Sequence, residues 1–208
     1  MFINPKNFFF RYREKLGLSP GLEMVIRNKK CIIIIPKSGS NTLRQGHLFP
    51  GKSILHILNH VKYIRTASDL EKYDINEIIF FIRDPIDRFI ASYIDRIEKP
   101  NQHSDSLYWM KKVNSFIDKM IQAEPDTINK HFRPQFWFIE QVGSKIPVNI
   151  YLVNDMNKYF GENMDRYNVS KIKKPELDIE IVKRLNDFYS SDINILNGLL
   201  NKLDSSNI

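Results

Sequence analysis

The 208 residues suffice for one α/β domain with a buried core and are short for two. A composition of 42% hydrophobic and 26% charged residues is that of a globular chain, and no apolar run is long enough to span a bilayer. The net charge of +7 points to an anionic partner, such as a nucleotide, an acidic glycan, nucleic acid or a membrane surface, without choosing among them.

Met1 to Lys30 is basic and irregular, punctuated by Gly17, Pro20 and Gly21, and reads as an N-terminal arm or short helix leading into the first strand. Phe8-Phe9-Phe10 lies between basic residues without the apolar core or small-residue cleavage site of a signal peptide. The expected compartment is the cytoplasm. The triplet is read as docking on the core, with peripheral membrane contact as the alternative.

Cys31 to Leu43 reads CIIIIPKSGSNTL. The four isoleucines Ile32 to Ile35 form a β-branched run without polar alternation, the pattern of a strand buried on both faces of a parallel sheet. Cys31, the single cysteine, has no intrachain disulfide partner and packs in that strand as a small hydrophobe. Pro36 ends the run. Lys37-Ser38-Gly39-Ser40-Asn41-Thr42 follows, and Leu43-Arg44 starts a helix capped by Ser40 or Asn41. A strand, a tight polar loop and a helix start gather backbone N–H groups onto an anion, and Lys37 adds a movable charge. The plain alternative is an ordinary strand-to-helix turn with a solvated lysine. Lys37 precedes the loop's only glycine, Gly39, and no second glycine lies nearby upstream, so neither G-x-x-x-x-G-K-[ST] nor G-x-G-x-x-G is present.

Gly46, Pro50 and Gly51 mark a loop, Ser53 to His60 is ambiguous, and Val61 to Arg65 is a candidate strand before a short helix from Ser68-Asp69 to Tyr73. Ile78 to Ile82 is a second central strand, delivering Arg83 to the same sheet edge as Lys37. Pro85 fits the first turn of a helix running Ile86 to Glu98, with an apolar stripe of Ile86, Phe89, Ile90, Tyr93, Ile94 and Ile97. A helix over Asp105 to Gln122 and a strand over Pro147 to Val153 follow. A short helix from Asn154 to Gly161 and C-terminal helices over Glu176 to Phe188 and Asp192 to Leu203 complete the chain. No repeat or linker divides it, so one domain is expected over 1–208, with 1–30 as its arm.

PKSGSNTL followed by RDPIDRFIASY resembles the sulfotransferases that use 3′-phosphoadenosine 5′-phosphosulfate (PAPS), particularly the carbohydrate-modifying branch of chondroitin 4-O- and heparan 2-O-sulfotransferases. The resemblance implies a P-loop-like central parallel sheet flanked by helices. It places Lys37, Ser38, Gly39, Ser40, Asn41 and Thr42 on the 5′-phosphosulfate and Arg83 on the 3′-phosphate. The family's serine position holds Ala91, with Ser92 one residue on, about 100° around the helix. Ser92 serves there only if the helix is rotated or bulged; otherwise the phosphate leans on Arg83 alone. Arg88 matches the motif's second arginine and is read as an ion-pair partner of Asp84 or Asp87. His131-Phe132-Arg133-Pro134-Gln135 is similar to a chondroitin-sulfotransferase element, and Tyr189 to Leu196 resembles the family's closing Y-x-x-D pattern.

Sulfuryl transfer is an in-line displacement in which positioning and charge stabilisation dominate. Lys37 would neutralise charge on the leaving oxygen. The general base is open between His60, whose place resembles that of a heparan-sulfotransferase histidine, and His131, with Glu71, Asp69 and His47 behind them and His56 read as structural. Ser170, Lys171 and Lys173 fall where related enzymes close a loop over the nucleotide; a solvated basic loop is the alternative. Phe132 to Phe138 reads as core packing, with stacking on sugar rings as the alternative. No metal-ligand spacing is present. The expected partners are PAPS, its product 3′-phosphoadenosine 5′-phosphate (PAP) and a glycan acceptor, with no nucleic acid. The rivals are a P-loop-like kinase acting on a small molecule or sugar, and a non-enzymatic polyanion-binding module.

Overall fold

The computed structural model describes residues 22–53, 56, 60–64, 67–97, 106–124, 127–143, 145–161 and 176–205. Residues 1–21, with Phe8 to Phe10, and the stretch holding Ser170, Lys171 and Lys173 lie outside the described residues.

Five strands form one sheet in the order β3-β1-β2-β4-β5: β1 (Leu22–Arg27), β2 (Lys30–Ile33), β3 (Lys62–Ile64), β4 (Glu77–Ile82) and β5 (Val148–Leu152). β2, β4 and β5 run parallel, as the two apolar runs suggest. β1 is antiparallel to both its neighbours, so the sheet is mixed rather than all-parallel. The reason is local. Asn28 and Lys29 have φ of 51° and 61°, the left-handed pair that closes a two-residue hairpin with the twist of its flanking strands.

The period of two splits the isoleucines between two faces. Ile33 and Ile35 join Ile78, Phe80 and Ile82 beneath Trp137 and Phe138 of α4 (Gln135–Glu140), with Ile195 and Leu199 of α7 (Ser190–Ser205) against them. Ile32 and Ile34 join Ile79 and Phe81 on the other face, under Leu43 and Leu48 of α1 (Thr42–Leu48) and Met156 of α5 (Met156–Phe160). Each such side chain, fully buried, stabilises the fold by about 1.5–3 kcal/mol before entropy is counted. Cys31 packs inside the first face, and burial pushes its thiol up to about 12.

A third core is helical. α2 (Pro85–Arg96), α3 (Ser106–Ile121) and α6 (Ile179–Phe188) pack around Phe89, Tyr93, Val113, Ile117 and Leu185. Pro85 occupies the first turn of α2, and the Asp84 carboxylate caps it by accepting the Asp87 N–H at 2.8 Å. The buried face of α2 differs from the expected stripe. Arg88 and Ser92 lie within it, while Ile97 is 48% exposed. The described residues thus form one α/β domain with helices on both faces of a mixed sheet.

Candidate active site

The chain leaves β2 through Ile34 and Ile35 and turns sharply at Lys37 (φ 65°) and Gly39 (φ 69°). Ser38 N–H donates to Ile35 C=O at 3.3 Å, and Leu43 N–H to Gly39 C=O at 2.8 Å. Glycine is required at 39 twice over. Its φ is left-handed, and an added Cβ would sit 2.6 Å from Val153 Cγ2 and 2.9 Å from Met156 Cε. No side-chain cap is made by Asn41, whose backbone is already helical (φ −77°, ψ −42°), so the expected capping gives way to a direct entry into α1. α1 is widened, with Phe49 N–H donating to Arg44 C=O at 2.9 Å, a spacing of five residues. Arg44 also pairs with the part-buried Glu23 of β1, which Lys130 reaches at 2.8 Å. Burial alone would raise the Glu23 carboxyl, but these two cations outweigh it and hold it below the usual range.

The two cations assigned to an anionic ligand both rest on α2. Lys37 Nζ lies 3.0 Å from Asp95 Oδ2, and an Arg83 guanidinium nitrogen lies 3.2 Å from Asp87 Oδ2. Eight residues of helix put those carboxylates about 12 Å apart along one axis and about 80° apart around it. Lys37 and Arg83 therefore share one rim of the sheet, along one helix. Burial would raise the Asp95 carboxyl, but the hydrogen bond and charge of Lys37, with the charge of Arg96 behind them, hold it low.

Beneath this rim the polar groups are spent on the fold. Gln135 Oε1 accepts from Ser38 Oγ at 2.7 Å and from Arg83 N–H at 2.9 Å, while its Nε2 donates to Arg83 C=O at 2.7 Å. Asp192 caps α4 from another helix, accepting the Gln135 and Phe136 N–H groups at 2.7 Å each. The Tyr189 hydroxyl donates to Phe132 C=O at 2.7 Å, so Tyr189 and Asp192 of the closing pattern both clamp the His131 to Gln135 element. Arg88 is fully buried and donates to the carbonyls of Pro36 (2.9 Å), Arg133 (2.6 Å) and Lys130 (3.1 Å).

Three expectations are thereby corrected. Arg88 pairs with main-chain carbonyls rather than Asp84 or Asp87. Ser92, 0% exposed, aims its hydroxyl at the carbonyls of Arg88 (2.8 Å) and His131 (2.7 Å), so it lines no ligand surface. Ser38, 2% exposed, likewise turns its hydroxyl to Gln135. In each case a buried polar group meets its partner inside the protein, because leaving it unmet would cost about 1–3 kcal/mol.

The histidines separate clearly. His131 is the one beside the Lys37–Asp95 pair. Burial first, then the charges of Arg96, Lys130, Lys37 and Arg88, push its imidazole down to about 3, and its buried Nδ1 has no hydrogen-bond partner. His60 stands just before β3, two strands from β2, with its ring 4.3 Å from that of His56 and 5.3 Å from that of Phe49. His47 is 0% exposed and stacks on Phe160 at 4.6 Å. Asp69 pairs with Lys72 on the turn after β3, and Glu71 is exposed on that turn. Phe132, Trp137 and Phe138 are core residues, which removes them as a sugar-stacking surface.

Asp95 and Gln135 carry more of this geometry than the sequence suggested. The signal for Gln135 was its place at the end of the His131 to Gln135 element, which the resemblance singled out without giving the amide a role. A cavity of about 260 Å³ lies at the other end of β2, lined by Arg27, Asn28, Lys30, Ile32, Tyr159 and Phe160. Among the described residues no cluster of three or more His, Cys, Asp or Glu is arranged to hold a metal, and no helix is long and apolar enough to cross a membrane.

A model of the sulfotransferase family matches residues 31–172, well over half of the chain. No curated protein and no solved structure matches it.

Proposed function

The chain belongs to the sulfotransferase family, and on that footing we propose that it moves a sulfuryl group from PAPS to a hydroxyl of a carbohydrate acceptor. The observation that carries the reading is the placement of Lys37 and Arg83. They come from loops after two different strands, yet both pair with α2 carboxylates that stand about 12 Å apart along its axis. Two cations so spaced suit a ligand with an anionic group at each end. In this reading Lys37, Gly39, Ser40, Asn41 and Thr42 surround the 5′-phosphosulfate and Arg83 takes the 3′-phosphate. Lys171 is proposed to approach the nucleotide from outside the described residues.

The chemistry follows from those positions. The acceptor oxygen attacks sulfur, the bond from sulfur to the bridging phosphate oxygen breaks, and PAP leaves with the electron pair. Lys37 exchanges Asp95 for the anion and offsets charge growing on that bridging oxygen. His131, neutral at pH 7, takes the proton released by the acceptor hydroxyl. Burial depresses its basicity first and the neighbouring cations second, and an anionic donor beside Lys37 offsets only the second. His60, among His56 and Phe49, is not given this role.

The test is thermal unfolding with PAP in the absence of Mg²⁺, followed by transfer of radiolabelled sulfate from PAPS to a panel of glycans. PAP at a hundred times its Kd adds about 2.7 kcal/mol, a rise of about 5–11 °C for a domain of this size. No shift with millimolar PAP, or a shift with Mg²⁺-ATP alone, overturns the reading. Label on tyrosine or a small polyol but on no glycan overturns the carbohydrate assignment and leaves the donor.

A further inference from the structure

We propose that Gln135 is a positioning residue that fixes the spacing of the two anion-holding loops, and so makes the site select donors carrying an anion at both ends. This rests on the donor reading above.

Gln135 is 1% exposed and touches both loops with one amide. Its Oε1 takes the Ser38 hydroxyl and the Arg83 N–H, and its Nε2 returns a bond to the Arg83 carbonyl. Arg83 is therefore held at both of its main-chain polar groups, as a residue in a strand is held by its neighbour. Only a side chain that accepts and donates together can do this: a carboxylate accepts alone and a thioether barely does either. The amide's orientation follows from the Arg83 N–H, which is always a donor and so must face Oε1. The glutamine does not drift, because Asp192 accepts its main-chain N–H at 2.7 Å.

The side chains of Lys37 and Arg83 have no comparable anchor. Their partners, Asp95 and Asp87, are 47% and 41% exposed, and such pairs yield readily to a competing anion. What the two cations can reach is thus set by where their loops stand, and that is set at Gln135. A ligand with one anionic group engages one loop and does not sense the spacing. A ligand with two engages both only when the spacing is right.

The experiment compares Kd values for PAP and for adenosine 5′-monophosphate, which lacks only the 3′-phosphate. The proteins are the wild type, Gln135→Met and Gln135→Glu. The methionine keeps the length without the bonds. The glutamate keeps the acceptor and loses the donor. The wild type should prefer PAP by about tenfold or more, the worth of one charge-assisted contact to Arg83. Gln135→Met should reduce that preference to about threefold or less, with the monophosphate Kd within about twofold of wild type; Gln135→Glu should fall between.

A preference that persists at the wild-type level in either folded variant overturns the proposal. So does an equal weakening of both ligands, which is general loosening, or the failure of both variants to fold, which makes Gln135 a residue of the fold alone. If the wild type itself shows no preference for PAP, the donor reading fails first and takes this inference with it.

Discussion

Arg88 offers the sharpest test of how the site is built. Replacing it by methionine removes a fully buried guanidinium that donates to Pro36, Arg133 and Lys130 carbonyls at 2.9, 2.6 and 3.1 Å. Three bonds from a charged donor, at about 1.5–3 kcal/mol each, are worth about 4–9 kcal/mol gross. Relief of the cation's own desolvation and the packing of the methionine return several kcal/mol, leaving a net loss of about 3–5 kcal/mol. For a domain of this size that is a fall of about 6–20 °C in Tm, readable by thermal or urea unfolding. Arg88→Lys should recover only part, because an ammonium cannot span three carbonyls set for a planar fork. Arg83→Met is the contrast. Its pair with Asp87 is part-exposed, so stability should change by under about 1 kcal/mol while the stabilisation by PAP largely disappears. A loss below about 1 kcal/mol in Arg88→Met, or equal losses in the two variants, would refute the division of one motif into a fold arginine and a ligand arginine.

Gly39→Ala adds a left-handed alanine, about 1–2 kcal/mol, to a clash with Val153 and Met156 of about 1–3 kcal/mol. Combining it with Val153→Ala should recover the steric part, so strict additivity in a double-mutant cycle would argue against the clash. Lys37→Ala should lower sulfuryl transfer by about 10- to 100-fold while moving the urea midpoint little, since its pair with Asp95 is part-exposed. His131 stays neutral in the fold down to about pH 3, whereas the unfolded chain takes the proton near 6.5. Its stabilising contribution is therefore complete above 6.5 and is lost as pH falls towards 3, by about 2 kcal/mol between pH 7 and pH 5. His131→Gln should flatten that part of the stability–pH curve; an unchanged slope would remove His131 as its source.

Much of the architecture was legible because it is written in local pattern. Ile32 to Ile35 and Ile78 to Ile82 announce two central strands, Asp84-Pro85 a helix start, and the order of the two basic loops their common rim. The reversal of β1 was less visible, since Asn28-Lys29 becomes a tight left-handed turn only when strands on both sides can pair. The division of labour within the site was not legible at all. Arg83 and Arg88 belong to one motif, yet one faces the rim and the other the core. Ser38 and Ser92 look like ligand hydroxyls and are turned inward.

Sequence by itself determined the parallel core of the sheet, the helix that crosses it and the kind of charge gathered at its carboxyl rim, because side-chain period and turn chemistry act over a few residues. Tertiary structure decided which of those polar groups are left for a ligand. The deciding partners are main-chain carbonyls and one amide 39 to 97 residues away. A carbonyl has no residue type to read, so only the packed chain shows that Arg88 is used up and Lys37 and Arg83 are not.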